Sequence, residues 1–244
     1  MIRASLRRPV LHPRRRSHLL HRAAVILALL SLSCTLAFPS SAAATEPPPA
    51  VRVLVTDVVD GDTINVLRGR RQETVRLIGV DTPETGRPDT PVQYYGPEAA
   101  LFTRRALLEK RVRLEFEVPG RPGGATDKYD RTLAYAFTDD GKNFNLEIIR
   151  QGFGRAYTKY PFRYQAAFVK AEQAARKAGR GMWNKEHRAV WSDPARRGKV
   201  IGNIRTEIYH VPGQRFYDSI GEKNRIYFRT EREAQDAGFR KARN

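Results

Sequence analysis

Five charged side chains in this sequence have the types and order to work on a phosphodiester: Asp62, Arg76, Asp81, Glu84 and Arg131. The first four fall between Asp60-Gly61-Asp62-Thr63 and Val80-Asp81-Thr82-Pro83-Glu84, and the fifth ends the run Thr126-Asp127-Lys128-Tyr129-Asp130-Arg131. A phosphodiester repels nucleophiles through its own negative charge, so its hydrolysis needs charge neutralisation and a better nucleophile. Asp62 and Asp81, with the Thr82 carbonyl and water, offer an all-oxygen shell for a hard dication. Loop ligands of that kind suit Ca²⁺ better than Mg²⁺ or zinc. Glu84, held behind Pro83, is placed to deprotonate water, and the planar forks of Arg76 and Arg131 match phosphate oxygens from two sides. Taken singly, each has an ordinary structural role: Asp-Gly is a common hairpin pair, and an arginine in a strand usually faces solvent. Their occurrence together and in order is what points to one reaction.

The elements that must position these groups are legible from periodicity and punctuation. Strands are expected over residues 51–59, 63–67, 73–80, 112–118 and 131–138, with Asp60-Gly61 as a hairpin turn whose glycine accepts positive φ. A helix starting at Pro97 runs to about residue 110. A short helix capped by Asn145 ends at Gly152. A longer one over residues 162–178 carries Tyr164, Ala167, Phe168, Ala171, Ala174, Ala175 and Ala178 on one stripe. Five short strands interrupted by a helix after the third define an α+β chain: a five-stranded OB-fold β-barrel with about three helices.

The 244 residues carry a formal charge of +18 and a pI near 10.5, which favours an anionic partner, nucleic acid before membrane. Seven arginines and no acid lie in the first 22 residues; an apolar run over residues 23–38 and Ala42-Ala43-Ala44 follow. Basic, apolar, small is the order of a secretory signal, so residues 1–44 read as a signal peptide and the protein as exported, with a surface-held form as the alternative. Cleavage there leaves a charge of +11 and removes Cys34, the one cysteine, so neither disulfides nor thiolate metal sites are expected. Residues 45–50 form a Pro-rich leader, 51–191 the main domain, 192–205 a linker and 206–244 a small C-terminal β/α appendage.

The runs Val59-Asp60-Gly61-Asp62-Thr63, Val75-Arg76-Leu77-Ile78-Gly79-Val80-Asp81-Thr82-Pro83-Glu84-Thr85, Tyr95-Gly96-Pro97-Glu98-Ala99, Thr126-Asp127-Lys128-Tyr129, Leu133-Ala134-Tyr135 and Arg150-Gln151-Gly152 resemble the staphylococcal (micrococcal) nuclease family over residues 51–191. The resemblance implies Ca²⁺-dependent, sequence-nonspecific cleavage of DNA and RNA at the P–O5′ bond, leaving 3′-phosphate ends. It implies Asp62, Asp81 and the Thr82 carbonyl as metal ligands and Asp60 just behind them. Arg76, Glu84 and Arg131 become the catalytic set. Lys128, Tyr129 and Tyr160, with Tyr157 competing for the last alignment, become nucleotide contacts. The sequence departs from the family at Asp130, where a glycine usually precedes the second arginine.

The C-terminal stretch resembles a small module appended to exported bacterial nucleases and the zinc-binding domain of the Ada repair protein, but without that domain's cysteines. His210 alone cannot hold zinc. No protein partner or stable membrane association is expected, and a monomer suffices. The competing reading is a non-catalytic OB-fold module that grips single strands, as degenerate repeats of Tudor-staphylococcal-nuclease proteins do. Such repeats lose the acids or arginines that are all present here.

Overall fold

The computed structural model describes residues 50–86, 91–117, 124–195 and 197–243. The signal-peptide reading of residues 1–44 and nearly all of the leader lie outside them. No described helix is long and apolar enough to cross a membrane.

Five strands close into a barrel: β1 (Ala50–Asp60), β2 (Thr63–Arg68), β3 (Arg71–Leu77), β5 (Arg111–Glu115) and β6 (Thr132–Phe137), in the order β1-β2-β3-β6-β5. Neighbours are antiparallel except β3 and β6, which run parallel with Arg76 opposite Leu133. β1 serves two partners, its first half pairing with β5 and its second with β2. Inward Val53, Val55, Ile64, Val66, Val75, Leu77, Val112 and Leu114 fill the barrel. This is the OB-type barrel the strand count predicts.

Register irregularities between Val55 and Asp57 and between Val58 and Asp60 interrupt the β1–β2 ladder. Val53 and Val55 face inward; simple alternation would next bury Asp57 and Val59. Instead Val58 and Asp60 are buried and Val59 is half exposed. The bulge thus re-aims the strand so that a carboxylate, not a valine, enters the interior at its end.

β3 ends at Leu77, short of the expected residue 80. A turn at Ile78-Gly79 follows, and β4 (Val80–Asp81) pairs with β7 (Arg155–Ala156) in a separate two-stranded sheet. Gly79 has φ 72°, and a Cβ there would meet the Phe162 ring at 2.6 Å, so both backbone and space exclude a side chain. This break carries Asp81 off the barrel wall.

Three helices flank the barrel: α1 (Gly96–Leu107), with Pro97 in its first turn, α2 (Phe144–Arg150) and α3 (Gln165–Lys177). The cap of α2 is Asn143, whose side chain accepts from the Leu146 amide, rather than Asn145. Asn145 is fully buried and ties the site region together. It accepts from the Ala136 amide and donates to the carbonyls of Ile78 and Ala134. The buried stripe of α3 is narrower than expected, reduced to Phe168, Ala171 and Ala175.

Two further helices, α4 (Lys185–Ser192) and α5 (Glu231–Asp236), raise the count to five among the described residues. Beyond α4 lies a second sheet, β10-β8-β9-β11, formed by β8 (Val200–Asn203), β9 (Ile208–His210), β10 (Arg225–Phe228) and β11 (Arg240–Lys241). β8 falls within the stretch read as a linker. Thr230 caps α5 by accepting from the Glu233 amide. Val200, Ile204, Tyr209, Ile226, Ala234 and Phe239 form a second core together with Ala100 and Leu101 of α1. One helix therefore serves two hydrophobic cores, and Arg105, bonded to Glu207 and to the Ala237 carbonyl, fastens the seam.

Candidate active site

The β1–β2 turn is Gly61-Asp62, one residue later than the sequence suggests. Gly61 is not in the positive-φ region; its role is spatial. A Cβ there would meet Thr82 Oγ1 at 2.8 Å and Ala99 Cβ at 2.9 Å. Thr103 of α1 donates to the Gly61 carbonyl at 2.7 Å in a buried bond, so the turn is pressed between the helix and the β4 exit.

Asp62, 5% exposed, is the hub. Its Oδ2 accepts from the Thr82 amide at 2.8 Å and lies 3.0 Å from Arg76 Nη2; its Oδ1 accepts from the Thr63 hydroxyl at 3.0 Å. Arg76 reaches on to Asp81, with Nη2 4.0 Å from Oδ1, and its Nη1 donates to the Val80 carbonyl at 2.7 Å. Asp81 is half exposed and opens outward. Asp60 is buried behind them, accepting from the Asp62 amide.

This carboxylate cluster carries more negative charge than Arg76 alone can balance. Burial, then the charge and hydrogen bonding of Asp62 and the charge of Glu84, push the Asp60 carboxyl up to about 8. Burial and then Asp62 raise Asp81 as well, against the opposing pull of Arg76 and Arg155. A bound cation would relieve that excess, and every donor here is oxygen, which fits a hard dication. No group of three or more acid, histidine or cysteine side chains forms a ready metal cage among the described residues. A shell built on Asp62 and Asp81 would draw its remaining oxygens from backbone and water, a pattern the Thr82 carbonyl suits.

Arg131 approaches the hub from the other side, donating to the Thr63 hydroxyl at 3.4 Å. Asp127 holds it in place, accepting from Nε at 2.8 Å and Nη2 at 2.6 Å as well as from the Arg131 and Tyr129 amides. Burial works to raise the Asp127 carboxyl, but the bonds from Arg131 and Tyr129 outweigh it and hold the group below its usual range. The residue between, Asp130, has φ 61°. The position does demand the left-handed conformation, and aspartate tolerates it better than most residues though less well than glycine.

Two adjoining clefts meet at Arg131 and Tyr129. One, of about 490 Å³, is lined by Asp60, Thr63, Glu84 and Arg131. The other, of about 660 Å³, is lined by Arg76, Lys128, Tyr129, Arg131, Tyr157 and Tyr160. Glu84 is anchored through its backbone, exchanging bonds with Gln93: its amide donates to the Gln93 side chain and its carbonyl accepts from the Gln93 amide. Tyr129 and Tyr160 are exposed by 56% and 64%, flat faces on a basic wall, with Lys128 and Lys159 each within 6 Å of a tyrosine ring. All eleven residues singled out in the sequence lie in or against this one region. Asp127, Thr63 and Thr103 were not singled out; the motif run contained Asp127, but only the fold reveals what it holds.

The fold and this cluster define a class: an OB barrel with an acid-and-arginine centre on its side, open to a basic, tyrosine-lined cleft. Residues 74–185 match the family model "Staphylococcal nuclease homologue", and residues 191–241 match a separate model, ArfC. The second match replaces the likeness to the Ada domain. The chain is 42% identical over 132 residues to a thermonuclease of Staphylococcus hyicus, covering 53% of this chain and 74% of that protein. It is likewise 42% identical over 133 residues to a thermonuclease of Staphylococcus intermedius, covering 54% and 76%. An endonuclease, YncB, of Bacillus subtilis is 36% identical over 137 residues, covering 55% of this chain and 63% of that protein. The chain belongs to the staphylococcal nuclease family.

Proposed function

We propose that the protein is an exported, Ca²⁺-dependent nuclease that hydrolyses DNA and RNA without regard to the sugar and leaves 3′-phosphate ends. The observation that carries this is the continuous contact chain Asp81–Arg76–Asp62–Thr63–Arg131, which sets Asp62 between two guanidinium groups and Asp81 on the far side of Arg76, at the mouth of a cleft. Asp62 and Asp81, with the Thr82 carbonyl, would hold the ion; bound there, Ca²⁺ would draw charge from a non-bridging phosphate oxygen. Arg76 and Arg131 neutralise the charge that builds on the phosphoryl oxygens. Glu84 accepts the proton of the attacking water as its oxygen bonds to phosphorus. The P–O5′ bond breaks, and the departing oxygen takes a proton from solvent. Lys128, Tyr129, Tyr157 and Tyr160 grip backbone and bases through charge and stacking, which is indifferent to sequence. The order of basic, apolar and small residues over 1–44 supports export.

The test is degradation of plasmid DNA and of RNA by the purified protein in Ca²⁺, with and without excess chelator. Cleavage that stops on chelation and resumes on adding Ca²⁺ supports the reading. Cleavage that continues unchanged in chelator removes the metal from it, and tight binding with no cleavage favours the non-catalytic OB module.

A further inference from the structure

The C-terminal module reaches the active-site cleft. Lys223, in the short 3-10 turn Glu222–Asn224, lines the same 490 Å³ cleft as Glu84 and Arg131. It is exposed and makes no ion pair among the described residues. Its turn is fixed to the molecule on both sides. The Ile204 amide bonds to the Asn224 carbonyl, and the following strand β10 is laddered to β8, whose core includes α1.

From Lys223 a second hollow, of about 160 Å³, continues along the seam between barrel and module. It shares Val59, Thr85 and Lys223 with the cleft. Its charged lining is Arg104, Arg205, Lys223 and a single acid, Asp57. That one carboxylate lies between both guanidinium groups, 3.1 Å from Arg104 and 3.8 Å from Arg205. Three cations against one anion leave the seam with a surplus positive charge that runs directly out of the catalytic cleft.

We propose that this seam is an extended nucleic-acid subsite: a polynucleotide strand continuing past the scissile phosphate lies along it, with Lys223 and Arg205 on its phosphates. The appendage is then part of the substrate grip. The proposal rests on the nuclease reading for its kinetic form, but the subsite binds by charge alone and can be measured apart from catalysis. Taking one cation away from a phosphate should lower the salt slope on duplex DNA by about 0.9.

The experiment compares the full-length protein with Lys223→Ala and with the double variant Lys223→Ala/Arg205→Ala. One substrate is long duplex DNA; the other is a p-nitrophenyl nucleotide phosphodiester too short to reach the seam. The ratio of kcat/KM for polymer over small substrate is expected to fall about threefold for the single variant and about tenfold for the double. Fluorescence anisotropy of a labelled 20-mer, in chelator, should show the same ordering and a shallower salt dependence. An unchanged ratio and slope in variants with unchanged Tm overturns the subsite. If the unaltered protein cuts neither substrate, the nuclease reading fails instead, and anisotropy alone decides the subsite by the same criterion.

Discussion

Asp127 grips Arg131 through two nitrogens, Nε at 2.8 Å and Nη2 at 2.6 Å, onto a single carboxylate oxygen. The other oxygen takes the Tyr129 and Arg131 amides, so one side chain fixes both the loop and the direction of the guanidinium. Replacing Asp127 with Asn keeps the shape and removes the charge. Turnover is expected to fall by about 10- to 100-fold, taking as a guide the range for partners that orient metal ligands. KM should change less than kcat, and Asp127→Glu should recover part of the loss. Equal rates in Asp127→Asn and the unaltered protein would show that the loop holds Arg131 without help.

Arg76 sits between Asp62 and Asp81 and also bonds to the Val80 carbonyl. Arg76→Ala should reduce kcat by about 10²- to 10³-fold or more, since one donor to the developing charge is lost. It should also lower Tm, because the buried Asp62 carboxylate loses its ionic partner. Arg76→Lys separates the two effects: it restores much of the Tm and little of the rate, because an ammonium cannot span both acids and a phosphate. Steady-state kinetics and thermal melts on the three proteins read both.

Gly61→Ala adds one methyl where Thr82 and Ala99 already stand within 3 Å. The neighbours are a helix and the Asp62–Thr82 contact, neither able to move freely. A stability loss of about 1–3 kcal/mol is expected from overpacking. Because the turn carries Asp62, a ligand in the proposed Ca²⁺ site, the Ca²⁺ concentration for half-maximal cleavage should rise as well. An alanine variant with unchanged melt and Ca²⁺ response would mean the turn has slack that the contacts deny.

Glu98 on α1 has its Oε2 sealed from solvent with no hydrogen-bond partner, although the residue as a whole keeps some exposure. Burial pushes its carboxyl up to about 7, against a backbone hydrogen bond that lowers it. Its surroundings include Glu186, His187, Arg197, Arg229 and Glu233 along a cavity of about 700 Å³. With the folded value raised, the native state prefers the protonated acid. The stabilising contribution is complete below the unfolded value of about 4.5 and disappears as pH rises through about 7. Glu98→Gln should therefore raise stability above pH 7 by on the order of 2 kcal/mol, with little change at pH 4. Melts of the two proteins across pH 4–9 check it; parallel curves would contradict it.

The sequence was informative where short-range chemistry decides. Pro97 at a helix start and the five strands are local signals, and the structure follows them. Asp130 is a sharper case: it stands where the family usually has glycine, and its φ of 61° is the left-handed value that a glycine there would suit. What local signals do not carry is the bulge in β1. Nothing in Val53 to Asp60 says that alternation skips a residue, since β-branched side chains suit either face, yet that skip is what buries Asp60. Asn145 misled for a related reason: two asparagines two positions apart both suit a cap, and only the surrounding carbonyls decide which one is interior. The module-to-cleft contact of Lys223 depends on packing between segments more than 90 residues apart, beyond any periodicity, since Arg131 is the nearest in sequence of the other lining residues.

Leu101 faces the appendage's core from a helix whose opposite side secures the Gly61 turn. The helix is thus a shared beam, and its outer side chains record whether anything is docked upon it. A barrel of this lineage standing by itself would leave the place of Leu101 in water, where a polar side chain costs nothing and a leucine loses its burial. That single position becomes a signature by which bare and accessorised members could be told apart before either is crystallised.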